Sequence, residues 1–228
     1  AVGTKLKKVV ISNGDKTETC YAGGFQYVQY FEGGLPSVLK FFAQPEGYVE
    51  PVGSSFKYVY QYKDHLGNVR LSYKDINGDG AITNDEIVEE NNYYPFGMKH
   101  NGYNNDHSKA NFAYKYKFNK REYQDELGLN VTAMDWRQYD PAIGRFMCID
   151  PLAEKKYDNT PYRFGFNNPV FWSDPTGLFE TRKEAREYHQ DRLERKETAI
   201  AEHINYVLQT TTYPLNTENV PLIFKEKI

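Results

Sequence analysis

Twelve residues, DINGDGAITNDE at 75–86, set oxygen donors at the spacing that wraps one hard cation. Asp75, Asn77 and Asp79 occupy positions 1, 3 and 5 of a calcium-loop pattern. Gly80 supplies the sharp turn at 6, Ala81 offers its carbonyl at 7, and Glu86 closes the shell from 12. Ile82, at position 8, is the apolar residue that anchors such a loop. Calcium takes about six to eight oxygens, and a glutamate at the last position gives two of them at once. The flanks NVRLSYK and EIVEENNYY have the character of strands rather than of paired helices. The loop therefore reads as a structural Ca2+ staple, of the weak class that fills where calcium is about millimolar. The alternative is an acidic, Gly-rich hairpin loop that binds nothing.

Other chemistries find less support. The five histidines (65, 100, 107, 189 and 203) form no His-x-His or His-Glu-x-x-His pair, which disfavours a zinc hydrolase. Cys20 and Cys148 lie 128 positions apart and fit no metal or redox spacing. Two buried free thiols are expected, with a disulfide as the alternative. Asp174-Pro175-Thr176-Gly177, taken by itself, is a good turn, in which Asp accepts backbone hydrogen bonds, Pro fixes φ and Gly allows positive φ. A formal charge of −3 offers no basic field for nucleic acid or an anionic membrane. No apolar run approaches the roughly 20 residues of a membrane span. The start, AVGTKLKKVV, holds neither an initiator Met nor a signal-peptide core, so the chain is expected to be a fragment of a longer protein.

The elements that must position these groups are mostly strands. Tyr (20) and Phe (14) carry the apolar load of 228 residues, beside 17 Gly and 11 Pro. From Val9 to Tyr73 short apolar runs alternate with turns, and Asn13-Gly14 is a strong hairpin signal. Phe56, Tyr58, Tyr60 and Tyr62 fall on one strand face at a period of two, and Leu66-Gly67-Asn68 makes the next turn. YQDELGLNV at 123–131 echoes YKDHLGNVR at 62–70, which points to tandem hairpins. After Leu178 the text changes: twelve of the eighteen residues at 180–197 are charged, six of each sign, as on a solvated helix face. Thr181-x-x-Glu184 opens that helix with a capping-box pattern. Ile200, Ile204, Val207 and Leu208 continue it as an apolar stripe, and Tyr213-Pro214 ends it. The fold expected is mainly β up to about Leu178, with helix only beyond.

YRFGFNNPVFWSDPTGL, with DWRQYDPAIGRFMCIDPLAE ahead of it, strongly resembles the Rhs-repeat-associated core domain of the bacterial Rhs/YD-repeat proteins and of the C component of Tc toxin complexes. Tyr139-Asp140-Pro141, Gly144-Arg145-Phe146, Asp150-Pro151, Asn168-Pro169 and Asp174-Pro175-x-Gly177-Leu178 follow the family's order. KDHLGNVRLSYKD and NNYYPFGM look like the YD-repeat sequence that precedes the core. The resemblance divides the chain into YD-repeat-like hairpins at 1–110, the core at 111–178 and a variable helical tail at 179–228, the candidate start of a toxin region.

The resemblance implies a fragment of a hollow β-cocoon shell around a C-terminal cargo, cut just after the Asp-Pro-x-Gly-Leu motif by a pair of aspartates. Carried onto this sequence, Asp174 and Asp150 form the dyad, Arg145 orients one carboxylate, and the bond cut is Leu178–Phe179. The stretch LAEKKYDNTPY after Asp150-Pro151 departs from the family's Gly-rich pattern, which keeps Asp158 in reserve as the partner of Asp174. The implied partners are the chain's own toxin region or the remainder of the shell, and a secretion machinery; the implied location is secreted or at the cell surface. Two other readings stand beside it: a structural surface-repeat fragment with no chemistry, and a tail acting as a separate effector. The tail reading is the weaker, because Glu184, His189 and His203 lack a metal spacing.

Overall fold

Asn13 (φ 51°) and Gly14 (φ 94°) both take left-handed backbone, and the chain folds back there into its first hairpin. Strands β1 (Lys7–Ser12) and β2 (Asp15–Ala22) pair antiparallel from Ser12↔Asp15 to Lys7↔Cys20. The computed structural model describes residues 5–31, 35–100, 110–155 and 157–210, with side chains omitted at 182 and 203–210. Six further strands continue the scheme: β3 (Phe25–Tyr30), β4 (Val38–Gln44), β5 (Gly47–Val52), β6 (Ser55–Lys63), β7 (Val69–Tyr73) and β8 (Ile87–Glu90). They form one antiparallel sheet in which every strand pairs with its neighbour in sequence. A second sheet, of β9 (Glu122–Gln124), β10 (Val131–Ala133), β11 (Gln138–Asp140) and β12 (Arg145–Phe146), keeps the same sequential order.

The two echoing segments are both hairpins, β6–β7 and β9–β10. In the first, Asp64 organises the turn, its Oδ1 accepting from Leu66 N (3.1 Å) and Asn68 N (2.9 Å). That turn also ties the first sheet to the segment that leads into the second, because Asn119 N donates to Asn68 Oδ1 (2.8 Å) and Val69 N to Lys117 O (2.8 Å).

Period two holds on β6, but the aromatic side of it is the open one. Phe56 and Tyr62 are 59% and 66% exposed, whereas Val59, pointing the other way, is fully buried. Val59 packs with Phe41, Tyr48, Val88 and Tyr114 in one apolar cluster. A second cluster, Phe118, Met134, Tyr139, Phe146 and Phe164, fills the core under the short sheet.

The expected order holds: the strands lie before Leu178 and the one α-helix among the described residues lies beyond it, with single 3-10 turns at Asn84–Glu86, Glu126–Gly128, Ala153–Lys155 and Gly165–Asn167. One expectation needs correction. The cysteines are free but not buried: Cys148 lies in the loop after β12, where its neighbours Met147 and Ile149 are exposed too, and Cys20 is half-buried on β2, whose side chains are mostly half-buried.

The chain divides after Glu180 into two compact units. The second holds α1 (Arg182–Thr210). Its start is a reciprocal capping box, in which Glu184 N donates to Thr181 Oγ1 (3.1 Å) and Thr181 N to Glu184 Oε2 (3.3 Å). The charged face carries i,i+4 pairs such as Asp191–Arg195 (3.1 Å). Ile200 is 41% exposed; the side chains of Ile204, Val207 and Leu208, and the Tyr213-Pro214 stop, lie outside the described residues. Among the described residues no helix is long and apolar enough to cross a membrane.

Candidate active site

The turn at 174–178 is built around one carboxylate oxygen. Asp174, fully buried, uses Oδ1 to accept from Thr176 Oγ1 (3.2 Å), Gly177 N (2.8 Å), Leu178 N (3.0 Å) and Phe179 N (3.1 Å). Pro175 fixes φ directly after it. Gly177 sits at φ +79°, which favours glycine, and a Cβ there would also be tight, 3.1 Å from Arg137 N. The far side of the turn is held by Trp136 N donating to Thr176 O (3.0 Å). Leu178 is 2% exposed, so the Leu178–Phe179 bond begins from a buried anchor.

The second aspartate comes to the same place. Asp150 is 4% exposed; its Oδ1 accepts from Leu152 N (2.8 Å), and its own N–H donates to Pro161 O (3.0 Å). Its other oxygen faces a guanidinium nitrogen, Arg137 Nη2, at 3.2 Å, and the same nitrogen lies 3.3 Å from Asp174 Oδ2. The remaining Arg137 donors reach Gly177 O (Nε, 2.5 Å) and Pro161 O (Nη1, 3.0 Å). The guanidinium carbon stacks 3.7 Å from the centre of the Phe146 ring. One cation thus stands between two buried carboxylates. Burial pushes the Asp174 carboxyl above the ordinary aspartate range, the Glu180 charge adds to this, and Arg137 and the Gly177 amide pull against it.

Sequence reasoning pairs Asp150 with Asp174, and the two do lie on one guanidinium, but that guanidinium belongs to Arg137 and not to Arg145. Arg145 is half-buried on β12 and its Nη1 donates to Asn167 Oδ1, away from both aspartates. Arg137 sits within the same DWRQYD stretch, just ahead of β11. The register that sets Gln138 opposite Ala133 makes 134–137 a hairpin turn, and Trp136 N, donating to Thr176 O, brings that turn against the Asp174 turn. Asp158, the reserve partner, is exposed on the loop that follows Asp150.

The 75–86 loop joins β7 to β8, so strands flank it. Asp75 accepts from Gly78 N (2.5 Å) and Gly80 N (2.9 Å), and Asp79 from Ala81 N (2.8 Å) and Asn77 Nδ2 (2.9 Å). Glu86 is 3% exposed and turned onto the backbone, accepting from Thr83 N (3.0 Å), Thr83 Oγ1 (3.1 Å) and Ile76 N (2.8 Å). The Thr83 and Ile76 amides hold its carboxyl below the usual glutamate range. The donors suit a hard cation in kind and order. They do not converge on one point: among the described residues no three His, Cys, Asp or Glu side chains are placed to hold a metal ion.

No protein-family model matches the chain. Salivary gland surface protein 1 of Aedes aegypti is 33% identical over 122 residues, which is 53% of this chain and 3% of that protein. Among solved structures, TcdB2-TccC3 superposes with a TM-score of 0.60 at 20% identity, covering 76% of this chain. The same pair without its hypervariable C-terminal region gives 0.58, and TcdB2-TccC3-Cdc42 gives 0.57, each at 20% identity over 76% of this chain. The chain therefore has the antiparallel β fold of a segment of TcdB2-TccC3, of whose length it spans 8%.

Proposed function

We propose that the chain is part of an Rhs-type toxin shell and that Asp150, Asp174 and Arg137 cut the Leu178–Phe179 bond, separating the shell from the segment downstream of it. The observation that carries this reading is that Asp174 Oδ1 accepts from the amides of both residues of that bond, at 3.0 Å from Leu178 N and 3.1 Å from Phe179 N. The fold likeness supports it. So does the fact that one similar structure is that of TcdB2-TccC3 without a hypervariable C-terminal region, since here too a segment of different composition comes after the Asp-Pro-Thr-Gly-Leu motif. The partners in this reading are the rest of the shell and the chain's own downstream region, carried outside the cell or to its surface by a secretion machinery.

Hydrolysis needs a nucleophilic water and a proton for the departing nitrogen. Arg137 favours the charged form of both carboxylates, but burial and the Glu180 charge push Asp174 upward against it, which makes Asp174 the acid. Asp150 takes a proton from the attacking water, and once the Leu178 carbon is tetrahedral and the Phe179 nitrogen has become basic, Asp174 gives its proton to that nitrogen. The water oxygen ends on the Leu178 carbonyl carbon, leaving a carboxyl group at Leu178 and an amine at Phe179. Arg137 holds both carboxylates and the Gly177 carbonyl in one frame. Expression with a tag at each end tests this. The wild type should yield a stable piece of the mass of 179–228, Asp150→Asn and Asp174→Asn should stay whole, and Asp158→Asn should still cut. A folded wild type that remains one chain sinks the reading.

A structural repeat fragment without chemistry is the competing reading. It is favoured by the completeness of the Asp174 cap, whose Oδ1 already serves four donors, and by the likeness to a protein named for a surface. The tagged wild type separates the two. We also propose that the 75–86 loop takes one Ca2+ through Asp75, Asn77, Asp79, the Ala81 carbonyl and Glu86. Binding there requires Glu86 to leave its backbone amides, which makes the site weak.

A further inference from the structure

Glu180, the second residue beyond Leu178, is an acid buried where a tail would be expected to meet solvent. Its side chain is 1% exposed and that of its partner Arg163 is 2% exposed. Arg163 Nη2 donates to Glu180 Oε2 (3.4 Å), and Nε lies 3.1 Å from Oε1 as a charge contact rather than an aligned hydrogen bond. The guanidinium also lies 5.2 Å from the centre of the Phe166 ring, on the 3-10 turn at 165–167. A buried ion pair adds little net stability, because desolvation offsets its Coulomb energy; what it fixes is position. Here it fixes one particular point. Leu178 is buried on one side of the Leu178–Phe179 bond and Glu180 on the other, with Phe179 half-buried between them.

We propose that Arg163 and Glu180 are a positioning pair for the cut: they pin the chain just beyond the scissile bond, so that the Phe179 nitrogen cannot move off Asp174. This rests on the reading of Leu178–Phe179 as the bond that is cut. A peptide link clamped one residue downstream and buried one residue upstream is held in a single register against the dyad, which is the condition for a near-attack geometry. The pair also sets the local charge. The groups facing Asp174 are Arg137, Asp150 across that arginine, and Glu180, with Arg163 behind it; the Glu180 charge favours the protonated form of Asp174.

The test uses the full chain tagged at both ends, with rates of self-cutting followed across pH. Three variants are compared: Glu180→Asp, Glu180→Gln, and the neutral double variant Arg163→Gln/Glu180→Gln, which leaves no lone buried charge. Circular dichroism and thermal melting establish which of them are folded. Glu180→Asp keeps the charge but withdraws the carboxylate by one methylene, and should slow cutting on the order of tenfold or more with the pH profile in place. In Glu180→Gln, which loses only the negative charge, cutting should slow and the high-pH limb should move to lower pH, because Asp174 gives up its proton more readily; in the double variant, where the Arg163 charge goes as well, cutting should slow with the limb moved less. A purely structural role would slow cutting without moving the limb. The inference is overturned if every folded variant cuts at the wild-type rate, or if the limb stays fixed in folded Glu180→Gln. A wild type that never cuts overturns the scissile-bond reading itself, which is a different result.

Discussion

Arg137 joins three stretches of chain at one guanidinium: the Asp174 turn, the Asp150 loop and the Pro161 carbonyl. Removing it leaves two buried carboxylates facing each other with no cation, a change that costs about 3–5 kcal/mol in comparable buried networks. Arg137→Met should show that loss in urea unfolding and should abolish cutting. Arg137→Lys should recover part of the stability but not the cutting, since an ammonium cannot reach Gly177 O and both carboxylates together. The two aspartates are legible in the sequence because short motifs mark them. The arginine is not, because its partners Asp174 and Gly177 lie 37 and 40 residues away, and nearness within a motif favours Arg145 instead. Glu180 is hidden for a similar reason: it opens a run of twelve charges, and composition assigns all of them to solvent.

At the scale of elements, turn chemistry is the most legible layer. Asn13-Gly14 and the Thr181/Glu184 capping box are local devices whose partners lie within a few residues, and the structure has both. The 75–86 loop shows the limit of such local reading. Its pattern places donors in order, yet the order does not say whether Glu86 faces a cation or the backbone, and here it faces the backbone. Calorimetric titration of the wild type and of Glu86→Ala with calcium decides the matter. The wild type should bind one ion weakly, and the variant, short of two oxygens, should bind at least tenfold more weakly still. Equal uptake by the two would mean that calcium binds elsewhere than in this loop.

Across the whole molecule, alternation reveals that β6 has two faces but not which one is covered. Aromatic bulk suggests the Phe56–Tyr62 face, whereas the core takes the Val59 face. There a small β-branched side chain fits beneath the rings of Phe41, Tyr48 and Tyr114. Paired alanine substitutions make the assignment measurable. Phe41→Ala should lower the unfolding free energy by about 3–5 kcal/mol. Phe56→Ala, on the open face, should change it by about 0.5 kcal/mol or less. The mainly β class and the order of the motifs are readable because they depend on composition and sequence order. Which face is covered depends on residues 113–116, which reach the first sheet from outside it.

The sequential order of the strands has a temporal consequence. Each strand of the eight-stranded sheet finds its partner in the segment made just before it, so pairing can advance as the chain leaves the ribosome, without waiting for distant segments. The Arg137 network cannot assemble this way. Its members are spread from 137 to 177, and the Arg163–Glu180 pair closes only when residue 180 is free to fold. Synthesis therefore imposes a schedule in which the scaffold stands first and the two aspartates meet last. Any cut after Leu178 must then follow the pairing of the strands that precede it, because the two aspartates meet only once the later segment has been made.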